Sequence, residues 1–248
     1  MGCMYLGEFT GQGVRIAVID SGVFAAHPHV GGVAGGVAIR DDGSVHDDYV
    51  DELGHGTAVI AAIREKAPAA EIFAIKVFGR ALRTDVATLV RAIDEAASRG
   101  AHLVNLSLGT SKSQHRPLLE DAVARARARG AIVVSANDDG GVRWLPGCLD
   151  GVIPVRADWT GDRHGYSIAF VEDRLMLSAS AFPREIPGVP RERNLNGVSF
   201  AVANATAFAA RALEAIGPAQ GPDPVAGIFA ALDRACPGAA DSPSTSTG

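Results

Sequence analysis

The sequence predicts an α/β fold of three layers, in which helices cover both faces of a mostly parallel central sheet. Three observations lead to this prediction. Short apolar runs alternate with stretches of helical periodicity. The run VRIAVID (14–20) is apolar apart from Arg15 and the final Asp20, as in a central parallel strand. With 248 residues and 47% hydrophobic content, the protein is large enough to bury one sizeable core or at most two small ones.

The elements follow one another as strand and helix along the sequence. After the strand at 14–20, further strands are predicted at 71–78, 101–109, 131–137 and 151–158. Helices are predicted at 57–67, 84–100, 116–130, 199–216 and 224–235. Thr84 is the predicted N-cap of the second helix and Gly100 its end.

These elements are expected to form a single domain over residues 1–236. Its core spans about residues 12–216, and the helix at 224–235 closes the domain. The segment 237–248 (PGAADSPSTSTG) is small and polar, so we expect it to be a disordered tail.

Composition excludes several classes of partner. The net charge is −5 and both signs are interspersed, so no basic stripe predicts binding to nucleic acid or to an anionic membrane. No apolar run reaches the roughly 18 residues that a spanning helix needs. Cys3, Cys148 and Cys236 are too far apart for a zinc cluster and odd in number, which fits a reducing compartment. No secretory signal is seen, so a cytoplasmic location is expected, with a secreted mature form as the alternative.

Four polar residues are placed where this fold binds ligands. Asp20 and Asn137 end predicted strands, His55 precedes a helix between two glycines, and Ser199 precedes another helix. Each has a structural explanation alone: a turn for Asp20 and Asn137, a loop or cap for His55, and an N-cap for Ser199. Together they supply the orienting carboxylate, base, amide donor and nucleophile that acyl transfer requires.

Five motifs in order extend this pattern: AVIDSGV followed by HP, GHGTAVIAA, NLSLG, VVSANDDG and NGVSFAVA. They resemble the motifs of the subtilisin-like serine peptidases (subtilases), and the resemblance covers about residues 12–216. The order Asp, His, Ser is also that of subtilisin. The resemblance implies a subtilisin-like fold and serine endopeptidase activity.

The resemblance assigns a role to each polar residue. Ser199 attacks the peptide carbonyl, His55 transfers its proton to the leaving amine, and Asp20 orients the imidazole. The Asn137 amide and the Ser199 N–H hold the oxyanion; such an Asn contributes roughly 3–4 kcal/mol in subtilisin. An edge segment that pairs with the substrate backbone is implied at Ser107, Leu108 and Gly109. One wall of the primary side-chain pocket is implied at Val134, Ser135 and Ala136.

Several residues depart from the family pattern. Val198 replaces the usual Thr of the nucleophile turn, which removes a hydroxyl donor and predicts slower turnover. Ala58 stands where a second His is common. Trp144 falls at the base of the primary pocket and predicts a shallow or reshaped site, whereas Asp138 would favour a basic residue before the scissile bond. These two residues leave the specificity open.

The acidic segment RDDGSVHDDYVDE (40–52) has two interpretations. It is either a calcium site, as this family often has, or a solvated loop with an acidic rim that faces the substrate. No EF-hand spacing is present, so the solvated loop is favoured and no cofactor is expected to be required.

The predicted function is peptide-bond hydrolysis by a serine endopeptidase. Restricted specificity is expected, such as removal of a leader from a ribosomally made precursor, because an unrestrained protease without a pro-segment would damage its own cytoplasm. The alternative is a catalytically silent peptide-binding module, but Asp20, His55, Asn137 and Ser199 are all retained. An esterase is disfavoured because no G-x-S-x-G motif is present.

Overall fold

A computed structural model describes residues 5–79, 81–217 and 223–235 and confirms the predicted three-layer α/β fold. Eleven strands are described: β1 (Arg15–Asp20), β2 (Gly35–Ile39), β3 (Val45–His46), β4 (Glu71–Lys76), β5 (Leu103–Leu106), β6 (Ile132–Ala136), β7 (Asp138–Asp139), β8 (Val142–Arg143), β9 (Ile153–Asp158), β10 (Tyr166–Val171) and β11 (Arg174–Ser180). Five α-helices accompany them: α1 (His55–Lys66), α2 (Val86–Ser98), α3 (Arg116–Ala128), α4 (Val198–Ile216) and α5 (Pro224–Arg234). Short 3-10 helices lie at Tyr5–Glu8, Ser113–His115 and Arg191–Arg193.

Nine of the strands form one sheet in the order β10-β11-β9-β6-β5-β1-β4-β2-β3. Every pairing from β11 through to β2 is parallel, and the antiparallel pairs β10–β11 and β2–β3 lie at the two edges. β7 and β8 form a separate hairpin. The central strands β5, β1 and β6 therefore bring their carboxyl ends to the same edge of the sheet.

The side chains of β1 alternate between two cores. Ile16 and Val18 pack on the face covered by α1 and the Ala-rich α4, whereas Ala17 and Ile19 pack on the face covered by α2 and α3. All four side chains are buried. A strand covered on both faces needs apolar residues at every position, which explains the continuous run seen in the sequence.

The helix boundaries differ from the predicted ones in informative ways. α1 begins at His55, two residues before the predicted start. The prediction that Thr84 caps α2 is wrong: Asp85 is the N-cap, and its carboxylate accepts a hydrogen bond of 2.6 Å from the Thr88 N–H. Asp85 has the extended backbone that a cap requires, with φ −88° and ψ 166°.

Sequence patterns missed β2, β3, the hairpin of β7 and β8, and the pair β10–β11. β2 opens with two glycines and has only five residues, and β10 has no buried residue, so neither has the long apolar run of a central strand. The turn between β10 and β11 is formed by Glu172 and Asp173, which have φ values of 47° and 63° without being glycine. The predicted tail at 237–248 lies outside the described residues, as do Cys3 and Cys236.

Candidate active site

Asp20 is the last residue of β1 and is only 1% exposed. Its Oδ1 atom lies 2.7 Å from His55 Nδ1 and accepts a second hydrogen bond of 2.7 Å from the Ser21 N–H. Its Oδ2 atom is buried without a partner among the described residues. A buried carboxylate with one hydrogen-bonded imidazole is suited to hold that ring in a single tautomer.

His55 is the first residue of α1, and its ring is held from the Asp20 side. Its Nδ1 atom faces Asp20, which leaves Nε2 on the other side of the ring for proton transfer. Burial of the ring opposes its charged form, but the hydrogen bond to Asp20 and the charges of Asp20 and Asp51 outweigh burial. The pKa of His55 is consequently raised above its usual value.

The start of α1 is fixed against the end of β1 by a close backbone approach. A Cβ atom at Gly56 would lie 2.2 Å from the carbonyl oxygen of Gly22, so only glycine fits here. The Gly56 N–H also donates a hydrogen bond of 2.8 Å to Ser21 Oγ. The glycine after His55 thus sets how closely the imidazole and the β1 carboxylate approach.

Asp51 is a positioning residue that sequence reasoning missed. Its two oxygens accept five hydrogen bonds of 2.6–2.9 Å from Ser21 Oγ, Leu53 N, Gly54 N, Thr57 N and Thr57 Oγ1. Burial would raise the pKa of Asp51, but these hydrogen bonds outweigh it and hold the pKa below its usual value. An Asp placed three residues before a helix-start glycine was the available signal, because Asp commonly accepts from nearby backbone amides in such turns.

Asp51 is the next-to-last residue of the acidic segment 40–52, which was interpreted as either a calcium site or a solvated loop. Because all five of its hydrogen bonds come from protein donors, a purely solvated loop is the wrong description at this residue. Within residues 5–79, 81–217 and 223–235, no group of three or more His, Cys, Asp or Glu side chains is placed to hold a metal ion.

Ser199 lies in the first turn of α4 but is not its N-cap. Gly197 occupies the cap position and no side chain makes a capping hydrogen bond there, so the capping interpretation of Ser199 is wrong. The Ser199 hydroxyl instead donates to the Ser107 carbonyl at 3.3 Å. The neighbouring Phe200 ring packs against the His55 ring with 5.5 Å between centroids, which brings the Ser199 turn next to the imidazole.

A buried polar network lies behind Ser199 and Ser107. Asn105 Nδ2 donates to Ser107 Oγ at 2.9 Å, and Asn105 Oδ1 accepts from Thr206 Oγ1 at 3.0 Å. Asn105 and Thr206 are both fully buried. These contacts tie the end of β5 to α4, and so fix the carbonyl that holds the Ser199 hydroxyl.

Asn137 follows β6 and is 5% exposed. Its backbone is anchored, because its N–H donates to Val155 O and its carbonyl accepts from the Trp144 N–H, both at 2.9 Å. Its side-chain Oδ1 is buried and has no partner among the residues that the structure describes. The backbone of Asn137 is therefore held rigidly, while its side-chain oxygen has no protein donor.

The remaining predicted site residues flank Asn137 and the end of β5. Ser107, Leu108 and Gly109 directly follow β5, and a Cβ atom at Gly109 would lie 2.4 Å from the Leu145 carbonyl and 3.7 Å from the Trp144 ring. Trp144 therefore packs against the edge segment. Within β6, Val134 and Ser135 are buried and only Ala136 is partly exposed. Asp138 belongs to the β7–β8 hairpin, where its carboxylate accepts from the Gly141 N–H at 3.3 Å.

Two further observations concern the described residues outside the site. No helix among the described residues is long and apolar enough to cross a membrane. Cys148 is half-buried and is a free thiol.

Comparison with known proteins gives consistent matches. The family model "Subtilase family" (Peptidase_S8) matches residues 11–157. The protein is 30% identical to Subtilisin BL of Lederbergia lenta over 211 residues, which cover 81% of this chain and 73% of that relative. It is 35% identical to Subtilisin Savinase of the same organism over 53% of this chain and 50% of that relative.

Solved structures share the fold. A cold adapted subtilisin-like serine proteinase superimposes with a TM-score of 0.67 at 22% identity, over 90% of this protein and 82% of the other. The prenylagaramide maturation protease PagA superimposes with a TM-score of 0.66 at 23% identity, over 90% of this protein and 84% of the other.

Proposed function

The chain belongs to the subtilase family and is a subtilisin-like serine protease, and we propose that Asp20, His55 and Ser199 form its catalytic triad. The observation that carries this proposal is the 2.7 Å contact between Asp20 Oδ1 and His55 Nδ1, beside the α4 turn that presents Ser199. Family membership favours this enzyme over the silent peptide-binding module.

In the proposed mechanism His55 Nε2 removes the Ser199 hydroxyl proton as Oγ attacks the scissile carbonyl. His55 then gives that proton to the leaving amine, and the acyl group stays on Ser199 until water releases it. Asp20 remains ionised and stabilises the imidazolium. The raised pKa of His55 strengthens it as a base and moves the onset of activity to higher pH.

Negative charge on the carbonyl oxygen would be held by two donors. Asn137 would donate from its side-chain Nδ2, on a residue whose backbone is anchored at both its N–H and its carbonyl. The Ser199 N–H lies in the first turn of α4, where helix amides have no intrahelical acceptor. The positive end of the α4 dipole favours the same charge. The triad and these donors are groups of the protein itself, so we propose that no cofactor is required.

The proposed substrate is a peptide or precursor peptide that pairs with Ser107–Gly109 as an added strand. A cavity of about 470 Å³ opens beside this segment, with Phe78, Leu89 and Leu108 among its lining residues, and would take an apolar substrate group. Trp144 packs against Gly109 and would restrict the residue before the scissile bond. Both features support selective processing.

Processing of a precursor is the biological role that we propose. PagA, whose described function is maturation, has the same fold. The free thiol of Cys148 is compatible with a reducing compartment, so the proposed location is the cytoplasm, with a secreted mature form as the alternative.

Identification of the cut sites tests this function. The purified protein is incubated with a proteome-derived peptide library and with unstructured casein, and new termini are sequenced. We expect a few related sites, all absent with Ser199→Ala. Rapid cleavage of casein at many unrelated bonds would contradict selective processing, and equal cleavage by Ser199→Ala would contradict the triad.

A further inference from the structure

A second cavity, of about 510 Å³, opens on the His55 side of the site. It reaches Gly54 and Thr57, which flank His55 in sequence, and Asn194 and Leu195, which precede Ser199 by a few residues. It shares no lining residue with the cavity beside Leu108 and Gly109. The two cavities therefore approach the candidate active site through different sets of residues.

Large apolar side chains line this second cavity without being buried by the described residues. Phe24, Ile186 and Leu195 are 53%, 46% and 52% exposed; Phe24 follows β1, and the other two lie in the connection between β11 and α4. Ala58 and Ala61 of α1 also line it, and their small side chains leave the space open. Apolar groups converging on one concave space are typical of a binding site.

The permanently charged cation in the polar lining of this cavity is Arg184. Arg184, His27 and His29 line it, and burial together with the charges of Arg184 and His27 lowers the pKa of His29. The acidic group in the lining, Asp51, has both oxygens occupied by five protein donors. An occupant with an apolar side chain and a nearby carboxylate would match this surface.

We propose that this cavity binds the leaving segment of the substrate: a large apolar residue on the C-terminal side of the scissile bond, accompanied by a carboxylate that Arg184 attracts. The inference rests on the proposed function, in which His55 protonates the leaving amine. The acyl half stays bound to Ser199 beside Ser107–Gly109. The leaving half therefore starts at His55, and Gly54 and Thr57 lead from there into the cavity.

Matched substrates test this assignment. Internally quenched peptides share one acyl segment and carry either Leu followed by Asp, or Gly followed by Gly, in the leaving segment. The methyl ester of the same acyl segment has no leaving peptide. Burial of a Leu-sized side group predicts that kcat/KM for the Leu-Asp peptide exceeds that for the Gly-Gly peptide by about tenfold or more.

Variants locate the preference in this cavity. Ile186→Ala and Phe24→Ala are expected to reduce the preference at least threefold and leave kcat/KM for the methyl ester unchanged. Leu175→Ala is the matched control, because Leu175 is an exposed apolar residue that lines a cavity with no residue in common with this one. Arg184→Ala should lower kcat/KM for the Leu-Asp peptide and leave kcat/KM for the Gly-Gly peptide unchanged.

The inference is overturned by equal kcat/KM for the two peptides, or by a preference that Ile186→Ala and Phe24→Ala leave intact. An equal loss of kcat/KM for the peptide and for the ester would show that these residues act on the fold. That result would also overturn the inference. Failure of the proposed function is distinguishable, because then the methyl ester is not hydrolysed either.

Discussion

Replacement of Asp51 by alanine should destabilise the protein by about 3 kcal/mol. Two of the five donors that Asp51 satisfies, the N–H groups of Leu53 and Gly54, belong to exposed residues and can bond to water instead. The other three belong to the buried residues Ser21 and Thr57 and would lose an acceptor. At the lower end of the cost of an unsatisfied buried donor, about 1 kcal/mol each, these three give about 3 kcal/mol.

The assay is urea unfolding followed by circular dichroism, with every variant made in a Ser199→Ala background so that self-cleavage does not interfere. Asp48→Ala is the control, because Asp48 is an exposed residue of the same acidic segment and its change should stay within about 0.5 kcal/mol. An Asp51→Ala variant that is as stable as the Asp48→Ala control would refute the assigned role of Asp51.

The same carboxylate also acts on catalysis through its charge. The negative charge of Asp51 contributes to raising the pKa of His55, so Asp51→Asn should lower that pKa. Because the neutral imidazole is the active form, the acid limb of the pH profile of kcat/KM should move to lower pH in this variant. A limb that stays in place, or moves to higher pH, would contradict the electrostatic contribution.

Three further predictions concern Glu65, Trp144 and Asn137. Burial opposes ionisation of Glu65, but Arg163 and Lys66 outweigh it and lower its pKa to about 2. The folded-state pKa lies below the unfolded value, so the stability from Glu65 is present above about pH 4.5. About 3 kcal/mol of the free energy of unfolding is then lost as the pH falls towards 2. Urea unfolding, with both proteins in the Ser199→Ala background, should show this loss with Glu65 and not with Glu65→Gln. Trp144→Gly should raise kcat/KM by about tenfold or more for peptides with an aromatic residue before the scissile bond, and an unchanged preference would contradict the restriction. Asn137→Leu should lower kcat about 10²–10³-fold with little change in KM, the magnitude measured for the corresponding donor of subtilisin, and unchanged kcat would exclude Asn137 as the oxyanion donor.

Sequence patterns predicted the central parallel strands because burial on both faces leaves a continuous apolar run, as in β1. The edge pair β10–β11 gave a weaker signal, because its apolar runs are short and no residue of β10 is buried. β10 and β11 are joined by Glu172 and Asp173 in left-handed conformations, a turn that the usual glycine signal does not reveal. β2 was missed for a different reason, because its two initial glycines are typical of a loop.

The residues of the site differ in how well the local sequence predicts them. Asp20 and Asn137 were predictable as strand ends, since parallel strands deliver their last residues to one edge. Asp51 was hidden in an acidic run, and its partners became apparent only when the loop and β1 met in space. The cavity formed by Phe24, Ile186 and Leu195 joins the segment after β1 to the distant connection between β11 and α4, so no local pattern could have indicated it.

Covalent labelling by a fluorophosphonate tests most directly whether Ser199 is a nucleophile activated by His55. The triad predicts one adduct per protein molecule, on the peptide that contains Ser199, and a labelling rate that rises with pH as His55 loses its proton. Ser199→Ala should not react and His55→Ala should react far more slowly. A folded protein that stays unlabelled at pH 8, or an adduct that persists in Ser199→Ala, would contradict the proposed triad.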